Sequence, residues 1–131
     1  VTTSFFTMMR ARFHPYGPAK AALEAMSAGH AVEFAPFGIA VNIVVPGGAA
    51  NTPMVPEGSG FDPATLVQPE EMVPPILWLC SQGAEVTGTR YVAGRWKPDA
   101  TIDQNRDMTE APIGWPDLAA DPVWPGGKPD E

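Results

Sequence analysis

Cysteine is almost absent. Cys80 stands alone among 131 residues, so no internal disulfide can form, and a reducing, cytoplasmic location is expected. Positive charge is also scarce: eight Lys and Arg face fifteen Asp and Glu, a net of −7. So acidic a chain lacks the cationic footprint that nucleic acid or an anionic membrane requires. No apolar stretch approaches the roughly 20 residues that span a bilayer, and no charged-then-apolar signal segment opens the chain. Neither nucleic acid nor membrane is therefore expected as a partner. The two histidines, His14 and His30, show no metal-ligand spacing with each other or with Cys80. No segment repeats. The first residue is Val1 rather than Met, as expected of a processed chain or a piece of a longer one.

What is present suffices for a core. Hydrophobic residues make up 44% of a 13.9 kDa chain, the size of one domain. Charge is uneven: residues 1–95 carry a net of −2, and residues 96–131 a net of −5 with 6 of the 16 prolines. The segment 96–131, with Trp115, Trp124 and Gly126-Gly127, shows neither a helical nor a strand period. It reads as an extended, partly polyproline arm beside a body at 1–95. The alternative is a disordered acidic tail, against which three large indoles (Trp96, Trp115, Trp124) argue, since each prefers a surface to lie on.

The body reads as alternating α/β elements. Pro15 or Pro18 opens an Ala-rich helix that runs to about Ala35, with Gly38 as its stop. Its apolar residues go nearly all the way round, which predicts burial on more than one side. Small residues such as Ala28 and Gly29 would permit close approach. Ile39 to Val45 is a continuous β-branched run, the pattern of a parallel strand covered on both faces, and Pro46-Gly47-Gly48 ends it. A long Pro- and Gly-rich loop, 47–67, follows. A second helix starts at Gln68-Pro69-Glu70-Glu71 and reaches Gly83, with Pro74 and Pro75 expected to distort it. A second strand is expected at about 90–93, and Val1-Thr2-Thr3 resembles the end of an earlier one. Cys80, in an apolar helix run, is expected in the core.

In a βαβ unit the helix runs antiparallel to its strands, so the start of the first helix and the end of the strand 39–45 share one edge, the carboxyl edge where open α/β sheets bind ligands. There Tyr16 and Lys20, four residues apart, lie on one helix face. An ammonium beside a phenol favours phenolate, which makes such a pair a proton-transfer device. The plainer alternative pairs Lys20 with Glu24 and leaves Tyr16 as an aromatic cap.

Beyond this pair, the chain resembles the C-terminal half of a short-chain dehydrogenase/reductase. Tyr16-Gly-Pro-Ala-Lys20 is similar to that family's Tyr-x-x-x-Lys motif, and Val41-Asn42 through Pro46-Gly47 to its Asn-x-x-x-Pro-Gly strand end. Thr52-Pro53-Met54 resembles its Thr-x-Met, Gln68-Pro69-Glu70-Glu71 through Ser81 its Pro-Glu helix, and Val86-Thr87-Gly88-Thr89 its Thr-Gly before the last strand. Five motifs in order cover residues 1–94. In departure from the pattern, Ala19 replaces a common Ser, one extra residue precedes Thr52, and Val92-Ala93-Gly94-Arg95 replaces Val-Asp-Gly-Gly. Ser4 or Thr3 occupies the place of the family's catalytic Ser, with Ser4 favoured; the plainer reading has Ser4 capping a strand.

The resemblance implies a partial Rossmann-like, doubly wound parallel sheet carrying the extended tail. It implies an NAD- or NADP-dependent oxidoreductase that interconverts a small-molecule carbonyl and alcohol. Tyr16, Lys20 and Ser4 would be catalytic; Tyr16 and Lys20 would also meet the cofactor, together with Pro46, Gly47 and Thr52. No metal is expected. The loop 53–67, with Met54, Val55 and Phe61, would close over a hydrophobic substrate, and His14 is expected at the surface. No Gly-rich phosphate turn opens a helix, so the chain is expected to be the active-site half alone, oligomeric through helices 18–35 and 69–82. The alternative is a non-catalytic interaction module retaining those helices.

Overall fold

A computed structural model of the chain describes residues 1–118. Ile43-Val44-Val45, three β-branched or apolar residues buried on both faces, form β1 (Ile43–Val45). It pairs in parallel with β2 (Thr89–Val92), Ile43 opposite Arg90 and Val45 opposite Val92. β2 pairs antiparallel with β3 (Glu110–Pro112), giving the order β1-β2-β3. The sheet is thus mixed, not all parallel. A parallel return needs a crossover along the whole sheet. Here α4 (Ile102–Thr109) runs straight into β3 and stays near the edge where β2 ends. Asn105 holds it there, accepting from Lys97 N–H at 2.7 Å and donating to the Lys97 carbonyl at 2.9 Å.

Helices lie on both faces of the sheet. Residues alternate across a strand, so Ile43, Val45, Arg90 and Val92 share one face and Val44 and Tyr91 the other. α2 (Tyr16–Phe34) covers the first, where Ala28 joins the core of Ile43, Val45, Val92 and Ile113. α3 (Val73–Ser81) covers the second, where Trp78 meets Tyr91 edge-on at 5.5 Å. Pro74 and Pro75 do not distort that helix: residues 69–72 form a 3-10 turn, and α3 starts at Val73, so both prolines fall in its first turn, where a missing N–H costs nothing. Val1-Thr2-Thr3 forms no strand.

α2 buries one side, at Gly17, Glu24 and Ala31, rather than several. Met26 and Val32 point away from the sheet and are 52% and 77% exposed; among the described residues nothing covers that side. Gly29 has no neighbour within 4 Å, whereas a Cβ at Gly114 would lie 3.1 Å from that of Ala28. Cys80, too, is exposed rather than core. It borders a groove of about 500 Å³ with Val44, Ile76 and Leu79 along the edge of β1 away from β2.

The fully buried Glu24 carboxylate accepts a 2.6 Å hydrogen bond from Thr2 Oγ1 and lies 2.9 Å from Arg90 Nε. The Nε–H is not aligned for a hydrogen bond, so this contact is an ion pair; Arg90 Nη2 donates instead to the Thr3 carbonyl at 3.1 Å.

Residues 96–118 are not an extended arm: they contain α4 and β3. α4 carries a capping box, Thr101 accepting from Gln104 N–H and Gln104 accepting from Thr101 N–H. Trp96 packs at a tilt against Trp78, ring centroids 5.7 Å apart, and Trp115 lies 5.0 Å from Phe5 at the other end of the chain. Trp124 and Gly126-Gly127 lie outside the described residues. Glu110 accepts from Arg106 Nε at 2.6 Å and from Tyr91 Oη at 2.8 Å. The Arg106 guanidinium holds the Glu110 carboxyl below the usual carboxylate range, and burial pushes the Tyr91 phenol up. No helix of the described residues is long and apolar enough to cross a membrane.

Two outcomes follow from these polar contacts. Glu24→Gln strands Arg90 in the interior and should cost about 3–5 kcal/mol in urea unfolding, whereas Glu24→Leu with Arg90→Met should cost well under the sum of the single changes. Because the folded pKa of Glu110 is depressed, its contribution is complete above the unfolded carboxylate range and is lost as pH falls through the folded value. Tail docking, followed by tryptophan emission, should weaken in acid over that window, and Glu110→Gln should remove that part of the pH dependence.

Candidate active site

The orientation of α2 sets the site. Ala31 lies beside Gly88 at the entry to β2, and Glu24 beside Arg90 further along it, so the helix descends as the strand ascends. Tyr16, eight residues before Glu24, stands about 12 Å beyond it along the axis. It therefore lies toward the edge where β1 exits into Pro46-Gly47.

Tyr16 and Lys20 come together as their spacing predicts. Tyr16 is the first residue of α2 and half-buried, and Lys20 Nζ sits over its ring, 5.7 Å from the centroid. Lys20 does not pair with Glu24, which Arg90 and Thr2 occupy; its ammonium donates instead to the Val1 carbonyl at 3.2 Å. Ser4 caps a helix, not a strand. It precedes α1 (Phe5–Met8), accepts from Thr7 N–H at 3.2 Å, and shares a 2.8 Å hydrogen bond with Thr7 Oγ1. α1 is docked on the first turn of α2 at Gly17, where a Cβ would sit 2.5 Å from the Met8 carbonyl oxygen. Thr3, the other candidate hydroxyl, lends its carbonyl to Arg90.

The strand-end motif divides into structural and open parts. Asn42 is a clamp: its Nδ2 donates to the Val86 carbonyl at 2.6 Å, and its Oδ1 accepts from Thr89 Oγ1 at 2.8 Å and Thr89 N–H at 3.2 Å. Thr87 Oγ1 accepts from Val41 N–H at 3.0 Å. Asn42 and the Val86–Thr89 segment thus lock β1 to β2. The Pro46 carbonyl accepts from Gly94 N–H at 2.9 Å, leaving Gly47 as the exposed part. Gly47 has φ of +96° and a Cβ there would lie 2.6 Å from Val92 Cγ1, so only glycine fits.

Thr52 lies just inside the base of the long loop. A parallel bridge, Ala50 to Val67, closes that base, with Asn51 N–H donating to the Val67 carbonyl at 2.9 Å. Sequence reading missed Gln68, which ties the same base together. Its Nε2 donates to the Pro63 and Leu66 carbonyls, at 3.0 and 2.8 Å, and its Oε1 accepts from Asn51 Nδ2 at 2.9 Å. The available signal was Gln68-x-x-Glu71, since Glu71 Oε1 accepts from Gln68 N–H at 2.8 Å. The loop presents Met54 and Phe61 to solvent. His14 is exposed, as expected.

Residues 1–94 match the family model described as Enoyl-(Acyl carrier protein) reductase. No curated protein and no solved structure matches the chain. The match covers the larger part of the sequence and takes in the Tyr16–Lys20 pair, the Asn42 clamp and the Pro46-Gly47 strand end: the chain belongs to the short-chain dehydrogenase/reductase family.

Proposed function

We propose that these residues form the active-site half of an NAD(P)-dependent oxidoreductase that interconverts a small-molecule carbonyl and an alcohol. The observation that carries this reading is the Tyr16–Lys20 pair at the carboxyl edge, with the Ser4-capped helix docked against the same turn at Gly17. A nicotinamide would meet this edge at the exposed backbone of Gly47, a position that takes no side chain because a Cβ would run into Val92 Cγ1. Once bound there, the nicotinamide supplies or accepts the hydride.

The chain's own groups handle the proton and the charge. Tyr16 Oη passes its proton to the carbonyl oxygen, or takes one from the alcohol. The Lys20 ammonium, steadied by the Val1 carbonyl, stabilises the phenolate left behind, and it would hold the nicotinamide ribose when the cofactor is bound. Ser4 Oγ turns from Thr7 to donate to the developing oxyanion. Gly47 backbone and Thr52 would hold the nicotinamide side, and Met54 and Phe61 would cover an apolar substrate. The pyrophosphate finds no Gly-rich strand-to-helix turn in residues 1–131, so catalysis needs a dinucleotide-binding unit besides these residues. The outward faces of α2 and α3, with Val32 77% and Leu77 64% exposed, are where copies associate.

Tyr16→Phe keeps the ring and removes the transferable proton. With the dinucleotide unit present it should lower turnover at least ~100-fold while leaving cofactor affinity intact, read by carbonyl-dependent oxidation of NADH or NADPH; near-normal turnover overturns the assignment. Calorimetric titration of the 131-residue chain with NAD(H) and NADP(H) should show negligible binding, and sedimentation should show self-association. A monomer with micromolar cofactor affinity would contradict both statements.

A further inference from the structure

The charge around Tyr16 is opposite to that of the chain. Residues 1–23 hold Arg10, Arg12 and Lys20 and no Asp or Glu. Glu24, the first carboxylate, is buried against Arg90 and Thr2. Among the described residues, neither Arg10 nor Arg12 makes an ion pair, and both are exposed.

The fold confines these cations near the site. They lie in the loop 9–15 that joins α1 to α2, and the two ends of that loop touch where Gly17 meets Met8. Eight residues separate Met8 from Gly17, so none of them carries a Cα more than about 14 Å from that contact. The Arg10 guanidinium is braced 4.7 Å over the Phe13 ring, and the Phe13 carbonyl accepts from Gly17 N–H at 2.7 Å. The loop is therefore anchored one residue from Tyr16. Beside the cations lies bare apolar surface: Phe6 and Met9 are 74% and 72% exposed. Phe6, Met9 and Arg10 follow the i, i+3, i+4 spacing of one face, and the Arg10 N–H donates to the Thr7 carbonyl, which continues the turn.

Unpaired guanidinium groups beside uncovered phenyl and thioether groups suit one kind of small molecule. We infer that Arg10 and Arg12, with Phe6 and Met9, bind an amphiphilic organic anion, a carboxylate or phosphate on an apolar body, as the distal part of the substrate whose carbonyl reaches Tyr16. This inference deepens the proposed reaction and rests on it. The guanidinium fork takes either anion in two hydrogen bonds. An anionic membrane surface shares the chemistry, but a chain of net −7 is repelled from it as a whole.

The test titrates the 131-residue chain with decanoate, decyl phosphate and decanol, below their micelle concentrations, following the Nε–H resonances of Arg10 and Arg12. At least one of the two anions should shift both resonances saturably, decanol should not, and salt should weaken the effect. Arg10→Gln with Arg12→Gln should weaken anion binding about fivefold and leave any decanol binding unchanged. The anion that binds names the substrate's end group. Equal response to decanol, no response to either anion, or binding only to phosphatidylglycerol vesicles overturns the inference. Anion binding is read without turnover. Its survival alongside an active Tyr16→Phe would therefore fault the assignment of Tyr16, while its loss alongside an inactive Tyr16→Phe would fault Arg10 and Arg12.

Discussion

A carboxylate placed inside an apolar layer has to be matched, and the match for Glu24 organises the molecule. The ion costs several kcal/mol to desolvate, so it persists only where a cation and a directional donor meet it. Arg90 supplies the first from β2 and Thr2 the second from the chain start. Three segments far apart in sequence are thereby held at one point: the opening residues, the middle of α2 and the middle strand. The same point fixes the site, because Ser4 follows the Thr2-Thr3 segment and Tyr16 stands two turns up α2 from Glu24. A charged pair gives up stability that an apolar pair of equal volume would supply, but it allows one register of helix against strand.

The glycines show how closely backbone runs against backbone at the carboxyl edge. At Gly17 a side-chain carbon would overlap the last carbonyl of α1; at Gly94 it would lie 2.9 Å from the Pro46 oxygen. Such contacts leave no room for adjustment, so the rim that carries Tyr16, Lys20 and Gly47 is set by main chain. The long loop is the opposite case. Its base is closed by Ala50, Val67 and Gln68, while Met54 and Phe61 beyond it touch solvent. The molecule thus pairs a rim fixed by main-chain contacts with a loop that is pinned at its base and exposed beyond it.

Much of this was legible in the residues. Ala-rich periodicity marked α2 to within a few residues, and Ile39–Val45 marked β1, although only Ile43–Val45 pairs because Asn42 turns its amide to Val86 and Thr89 instead. The Tyr16–Lys20 spacing placed both on one face. The partner of Glu24 was not legible: four residues from Lys20 it looked like a local pair, and its actual partner lies 66 positions away, on β2. The segment 96–118 was misread for a related reason. α4 has no apolar stripe, since Ile102 and Met108 are both partly exposed, and it stands on a polar capping box and on Asn105. A search for hydrophobic period passes over a helix held by hydrogen bonds, though Thr101-x-x-Gln104 was there to be read. Cys80 erred the other way, since an apolar run says that a helix can be covered, not that its own chain covers it.

That last distinction bears on what kind of object these residues form. A three-stranded sheet has two edges, and here β3 closes one while β1 offers Val44 to an open groove on the other. Residues 96–115 place Trp96 beside Trp78 and reach Phe5 with Trp115, and β3 adds a strand on the β2 side of the sheet. The β1 side, by contrast, keeps Ile76, Leu77 and Cys80 in solvent, and the back of α2 keeps Met26 and Val32 there. Apolar surface on this scale is not neutral in water, at roughly 25 cal/mol for each Å² left uncovered. The asymmetry is directional. The uncovered surface lies along the β1 side, whose strand exits into Pro46-Gly47, and on the back of α2.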